Sequence, residues 1–240
     1  MAFFIGANLS MGKHAFCGCT GLTVMSIPES VTRLEDCAFS YCTDLKSVDL
    51  PSSLKVIDDS VFENCTSLES ITIPQSVVQI GACTFMGCSS LRKAKLSCQI
   101  RHISPHLFEE CTSLKSIALP STVTRICDEA FFSCTSLANI LITDSVTSIG
   151  QSSFAFCSSL TSISLPRLYS IGYWALGDCK NLRSVYVENP IPCHVSDCLI
   201  FGVSAIGLRL PCTTLHVPKG SKSTFMDDIF WGRFNTIIEG

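Results

Sequence analysis

Cys65-Thr66-Ser67-Leu68-Glu69-Ser70-Ile71-Thr72-Ile73-Pro74 is the stretch that decides the architecture of this chain. Ile71 and Ile73 alternate with Ser70 and Thr72, the pattern of a short strand with one buried face, and Pro74 lacks the N–H that would continue the ladder. Phe62 stands three residues before Cys65 and Leu68 three after it. All of these stations recur. Cys19, Cys42, Cys65, Cys88, Cys111, Cys134 and Cys157 follow one another at 23 residues, and Cys179 comes after a step of 22. Phe16, Phe39, Phe62, Phe85, Phe108, Phe131 and Phe154, then Leu176, keep the position three before. Leu22, Leu45, Leu68, Leu91, Leu114, Leu137, Leu160 and Leu182 keep the position three after.

The unit is Cys-x-x-Leu-x-x-Ile-x-Ile-Pro-x-x-Val-x-x-Ile-x-x-x-Ala-Phe. Strands that return in the same direction once per repeat must pair in parallel, which gives a solenoid with a core of stacked equivalent columns. Helices of 10–15 residues do not fit between strands so closely spaced, which argues against doubly wound and barrel folds. The single-residue deletion falls between Pro166 and Ile171, where a loop absorbs it.

Composition agrees with a packed chain. Of 240 residues, 47% are hydrophobic and 15% charged, with 17 Lys and Arg against 20 Asp and Glu for a net charge of −3. Intrinsic disorder is excluded, and no bulk positive field exists to draw in nucleic acid or anionic lipid. Met1-Ala2-Phe3-Phe4-Ile5-Gly6 lacks the basic region and long apolar core of a signal peptide, and no apolar run approaches the roughly 18 residues of a spanning helix. The expectation is a soluble chain, whether mature protein or fragment.

The repeat resembles the leucine-rich repeats of the BspA-like, treponemal-type family. Cys65–Pro74 and Ile126-Cys127-Asp128-Glu129-Ala130-Phe131 match its 23-residue unit nearly throughout. The likeness is strong over about residues 11–187. Leu215-His216-Val217-Pro218-Lys219-Gly220-Ser221, followed by Phe225, Trp231, Phe234 and Ile237, resembles the closing segment of bacterial members. The resemblance implies an α/β repeat fold: a curved, right-handed solenoid with one short parallel strand per coil and a C-terminal capping segment. It also implies a non-enzymatic interaction or adhesion module, at a bacterial surface or secreted, that meets host matrix proteins or other microbes. An intracellular, cytoplasmic scaffold of the same fold is the alternative, favoured by the many thiols.

The expected organisation is a partial repeat over 1–15, about eight coils over 16–187, and a degenerate last turn with a cap over 188–240. In that last turn Phe201 holds the phenylalanine station and Leu215 and Val217 the strand stations. Ser221 is the expected cap of a short helix over Lys222 to Asp228, with Phe225, Ile229, Trp231 and Phe234 as a lid over the open core. At the other end the expectation is that the start lacks a proper cap or that residues 1–10 improvise one.

Sixteen cysteines invite chemistry. Stacked strands hold equivalent residues about 4.7–4.9 Å apart with parallel vectors, whereas a disulfide needs converging Cβ atoms about 3.8 Å apart. A linear column cannot converge tetrahedrally on zinc either. The eight column cysteines are therefore expected to be structural, buried thiols donating to coil carbonyls, as the phenylalanine column is expected to be core. Off the column, Cys193, Cys198 and Cys212 are near enough to leave one bridge open.

No nucleophile elbow, zinc-protease helix, phosphate loop or dinucleotide fingerprint is present. His102 and His106 are four apart, but Pro105 between them argues for surface residues over a metal pair. No cysteine–histidine couple has an identifiable orienting group. The chain is expected to be no enzyme and to carry no cofactor or metal.

What varies is the outward face of the strands. Val24, Ser47, Ser70, Lys93, Ser116, Asn139, Ser162 and Ser184 form one outward row. Ser26, Asp49, Thr72, Lys95, Ala118, Leu141, Ser164 and Tyr186 form the other. The fourth repeat departs from this hydroxyl-rich skin and replaces its proline with Ser97. Arg92, Lys93 and Lys95, with Arg101 and Lys115, make a candidate contact for an acidic partner, either a sulfated glycan or an acidic protein segment; ordinary solvated surface is the alternative. Nucleic acid is disfavoured because interleaved exposed aromatics are missing. A monomer is expected.

Overall fold

The structure, a computed structural model, describes residues 9–195 and 210–240, with side chains from 213 onward in the second stretch. It is a parallel-strand solenoid of about nine coils at a spacing near 23 residues. Two ladders of short strands run its length. The first comprises Val24–Ser26, Ser47–Asp49, Ser70–Ile73, Lys93–Leu96, Ser116–Ala118, Asn139–Leu141, Ser162–Leu165, Ser184–Val187, Leu210–Val217 and Phe234–Glu239. Every pair formed within it is parallel, with equivalent stations side by side, as in Ile71 with Ala94 and Ile163 with Val185, and the register shifts only in the last pair, between Leu210 and Thr214. The second comprises Leu9–Met11, Val31–Leu34, Val56–Ile57, Gln79–Ile80, His102–Ile103, Arg125–Ile126, Ser148–Ile149, Ser170–Ile171 and His194–Val195.

The expectation of one strand per coil is thus corrected to two, and the chain is mostly strand, with one short α-helix among the described residues rather than an α/β repeat. The cause lies in the stations after the proline. Val31 and Leu34, or Val77 and Ile80, are spaced by three, so the period-two signal of a strand never develops; the second-ladder strands are mostly two residues long.

Between the ladders a tight turn carries the phenylalanine. Backbone N–H groups there alternate between two destinations. Cys37, Phe39 and Tyr41 donate to Asp59, Val61 and Glu63 of the next coil, while Ala38, Ser40 and Cys42 donate back three residues to Glu35, Cys37 and Phe39. The six consecutive N–H groups from Cys37 to Cys42 are thus all bonded although they lie outside the sheet. The arrangement requires two left-handed stations per coil. One holds His14, Cys37, Ser60, Cys83, His106, Glu129, Ser152 and Trp174, with φ between 50° and 57°. The other holds Tyr41, Asn64, Glu110, Ser133, Phe156 and Asp178, and Gly18 and Gly87 elsewhere.

The core is one continuous apolar cluster. Consecutive rings from Phe16 to Phe154 stack with centroids 5.2–5.6 Å apart and planes within 3–11°. A pure translation between coils would hold every equivalent pair at the strand spacing of about 4.7–4.9 Å. The wider ring spacing shows the coils fanning apart along the phenylalanine column.

Beside it runs a thiol ladder. Cys42, Cys65, Cys88, Cys111, Cys134, Cys157 and Cys179 each donate Sγ–H to the carbonyl of Phe16, Phe39, Phe62, Phe85, Phe108, Phe131 and Phe154, one coil back, at 3.0–3.3 Å. All seven are free and buried. Cys19, at the same station in the first of these coils, is exposed.

Leu210–Val217 pairs with Ser184–Val187 and then with Phe234–Glu239. A helix over Lys222–Asp227 lies between these last two strands in sequence. Phe225, Trp231 and Phe234 are buried, with Trp231 edge-on to Phe225. Two expectations are corrected. Ile229 is 72% exposed and is no part of a lid. Ser221 precedes the helix without capping it: its hydroxyl bonds to the Pro218 carbonyl, and Glu239 Oε1 accepts from the Lys222 N–H at 2.8 Å instead. The bridge left open among Cys193, Cys198 and Cys212 falls largely outside the described residues, as does Phe201; Cys193 itself is a free thiol.

Candidate functional site

The first ladder exposes two of every four residues. In Lys93–Leu96 the pattern runs exposed, buried, exposed, buried, so Ala94 and Leu96 enter the core while Lys93 and Lys95 face solvent. Register places Ser70 beside Lys93 and Thr72 beside Lys95. Ser97 owes its place to the missing proline: its N–H donates to the Ile73 carbonyl at 3.1 Å, a bond no proline can make. Cys98 then turns inward, 4% exposed.

Arg92 and Lys115 also face solvent and occupy one column, with Glu69 the neighbour of Arg92 on its other side. Among the described residues, none of Arg92, Lys93, Lys95 and Lys115 enters one of the ion pairs formed. Arg101 does not join them. The chain bends after Leu96, burying Ile100 and Ile103, and Arg101 emerges at the start of the second ladder. There its carbonyl accepts from Thr124, and His102 pairs in register with Arg125. Arg101 and His102 line a groove of about 690 Å³ with Asp59, Gln79, Gly81 and Gln99. The five cations grouped in sequence therefore divide into four on the first ladder and one on the second, because six residues of chain suffice to turn the corner.

Towards its C-terminal end the first ladder's outer row becomes apolar and aromatic. Leu141 is 67% exposed, and the Tyr186 ring stacks on His216 at 4.2 Å and 15°. His216 in turn neighbours Ile238. The row thus continues past Tyr186 to His216, whose place between Leu215 and Val217 marks it in the sequence. Ile238 carries no such signal.

The second ladder and its turn hold the remaining polar groups. Asp58, nearly buried, accepts two bonds from Arg33, Nε at 2.6 Å and Nη2 at 2.9 Å. His106 lies in the turn, apart from any pairing with His102, and its Nδ1 is 2.6 Å from Glu109 Oε2.

The seven ladder thiols are not poised as nucleophiles. Burial pushes Cys42 up to about 11 and Cys88 and Cys179 up to about 12, and it raises Cys65, Cys111, Cys134 and Cys157 as well. A neutral thiol neither attacks nor ligates. What this arrangement offers chemically is a rigid, regularly spaced surface.

The model of the BspA type leucine rich repeat region matches residues 9–137 and 90–198, with six copies. The chain belongs to the BspA-type leucine-rich-repeat family, whose members are generally interaction proteins and not enzymes. Among solved structures, a leucine-rich repeat protein from Bacteroides ovatus is 26% identical with a TM-score of 0.67, over 87% of this chain and 58% of its own. The T. pallidum leucine-rich repeat protein is 31% identical with a TM-score of 0.58, over 64% of this chain and 71% of its own. A leucine rich cell surface protein from Faecalibacterium prausnitzii shares the fold at 24% identity and a TM-score of 0.50, over 95% of this chain and 62% of its own. The chain thus spans under two thirds of the Bacteroides and Faecalibacterium proteins. No curated protein matches it.

Proposed function

We propose that this chain is a bacterial interaction and adhesion module, exported or surface-held, that binds a macromolecule on the outer face of its first ladder. One observation carries the reading: the inward residues of that ladder repeat while the outward ones change, from Lys93 and Lys95 mid-solenoid to Leu141, Tyr186, His216 and Ile238 further on. Repetition inside serves stacking; change outside gives a partner something to recognise. The Faecalibacterium relative, a cell surface protein, supports the surface location. We retain the division into a partial repeat over 1–15, coils over 16–187 and a closing region over 188–240, with a right-handed coil sense and a monomeric chain. Burial of Phe225, Trp231 and Phe234 supports the closing role.

The test is binding to immobilised mucosal and matrix glycoproteins, comparing the intact chain with Leu141→Ser/Tyr186→Ala. Saturable binding that falls at least tenfold in the variant supports the reading; binding that survives unchanged removes the face from it.

A second reading rests on the cations. Arg92, Lys93, Lys95 and Lys115 lack acidic partners among the ion pairs of the described residues, and a run of unpaired cations suits a sulfated or carboxylated glycan. Retention on heparin that falls with salt and vanishes in Lys93→Glu/Lys95→Glu would support it. Equal retention of the variant would remove it.

A further inference from the structure

We propose that His106, Glu109 and Glu129 form a binding site for one zinc ion, on the turn face and away from the first ladder. Among the described residues these three alone bring three His, Cys, Asp or Glu donor atoms within 4.8 Å of one another. The His106 Nδ1 lies 2.6 Å from Glu109 Oε2 and 3.6 Å from Glu129 Oε2.

The backbone fixes where the donors stand. His106 and Glu129 occupy the same left-handed station in successive coils, at φ 56° and 54°. Their N–H groups are tied to the next coil, His106 to Asp128 and Glu129 to Gln151. Glu109 is three residues after His106, one turn on, and its N–H returns to the His106 carbonyl. In this coil the residue, the one three beyond it and the one a coil later bring their donor atoms together. In the coil that follows, the same places hold Glu129, Phe132 and Ser152, of which only the carboxylate is an ordinary metal ligand.

The spacing suits the ion. Zinc bonded to imidazole nitrogen and carboxylate oxygen at about 2.0–2.2 Å in tetrahedral geometry sets its ligand atoms roughly 3.3–3.5 Å apart. The His106–Glu129 separation is already close to that, and the His106–Glu109 hydrogen bond need open by less than about 1 Å. Charge favours the ion as well. Two carboxylates face one imidazole, and burial of Glu109, with Glu129 and Glu110 nearby, pushes its carboxyl above the usual range despite His106. A divalent cation would remove that conflict, and a mixed nitrogen and oxygen set selects zinc over calcium or magnesium. Three protein ligands leave the fourth position to water or to an acidic group on a partner. Cys83, one coil earlier at the same station, is not among the donor atoms that gather within 4.8 Å, so the expected set is nitrogen and oxygen without sulfur.

Cobalt(II) titration of the chelator-stripped, reduced chain tests this, because cobalt reports its ligands. The expected result is one equivalent bound with visible d–d bands and no sulfur-to-cobalt charge transfer, displaced by zinc. His106→Gln and Glu129→Gln should each weaken that binding at least tenfold while leaving the circular dichroism spectrum and melting temperature of the stripped protein unchanged. Glu129→Gln, at a partly exposed turn, guards against a folding defect in the histidine variant. Absence of binding, cobalt held through sulfur alone, or nitrogen–oxygen bands that persist in both variants would overturn the site.

Discussion

At the residue scale, the thiol ladder links a cysteine count to a stability that depends on pH. Each column cysteine from Cys42 to Cys179 donates its S–H to a phenylalanine carbonyl one coil back, which requires the proton. Burial raises these thiols in the folded chain, whereas the unfolded chain's thiols ionise near their ordinary value of 9.0. The folded state therefore holds more protons above pH 9, and stability falls as pH rises from there towards the folded values. The slope is about 1.4 kcal/mol per thiol per pH unit. We predict an abrupt alkaline unfolding above pH 9, followed by circular dichroism, that moves upward when Cys88 and Cys111 are replaced by Ala, even though each replacement costs about 1 kcal/mol at neutral pH. A thiol reagent at pH 7.5 should label Cys17 and Cys19 at once and the ladder only after denaturation. The sequence showed that these cysteines belong to a column; that Cys19 is exposed while the other seven are buried was not legible in it.

Elements differ in how openly the sequence declares them. First-ladder strands alternate in and out and could be read directly, whereas the second ladder's two-residue strands, with apolar stations three apart, look like loop until a neighbouring coil pairs with them. Left-handed stations are similarly hidden, since Cys37, His106 and Trp174 hold them without glycine. Close contact between turns is where glycine becomes necessary. A Cβ on Gly150 would stand 2.6 Å from the backbone of Cys127 and Asp128, so Gly150→Ala should cost about 1–3 kcal/mol by chemical denaturation. Phe108→Ala opens a hole between Phe85 and Phe131 and should cost about 3–5 kcal/mol, with a loss below about 1 kcal/mol contradicting the ring column. In the closing region Trp231 was legible as a core residue, but Ile229 was not separable from it: both are apolar, and only the pairing of Phe234–Glu239 with Leu210–Val217 decides which faces inward.

For the whole molecule, periodicity made the core readable and left the function to the residues that break it. The cations of the fourth repeat were visible as a composition anomaly, yet their division between two faces was not, because a bend after Leu96 is needed to carry Arg101 onto the second ladder. The same holds for His106 and Glu129, 23 residues apart in sequence and one coil apart in space. A rigid array of this kind keeps its outward residues at fixed spacing, so the account places recognition on the first ladder and none of it on the core. The most direct check is a binding measurement by surface plasmon resonance on immobilised matrix and mucosal glycoproteins. It compares the intact chain with variants of the first ladder (Lys93→Glu/Lys95→Glu and Leu141→Ser/Tyr186→Ala) and of the second ladder (Val78→Ser/Arg125→Ala), all with unchanged circular dichroism. The account predicts a saturable response that drops at least tenfold in a first-ladder variant and stays within twofold in the second-ladder one; the reverse order, or a response indifferent to both faces, would contradict it.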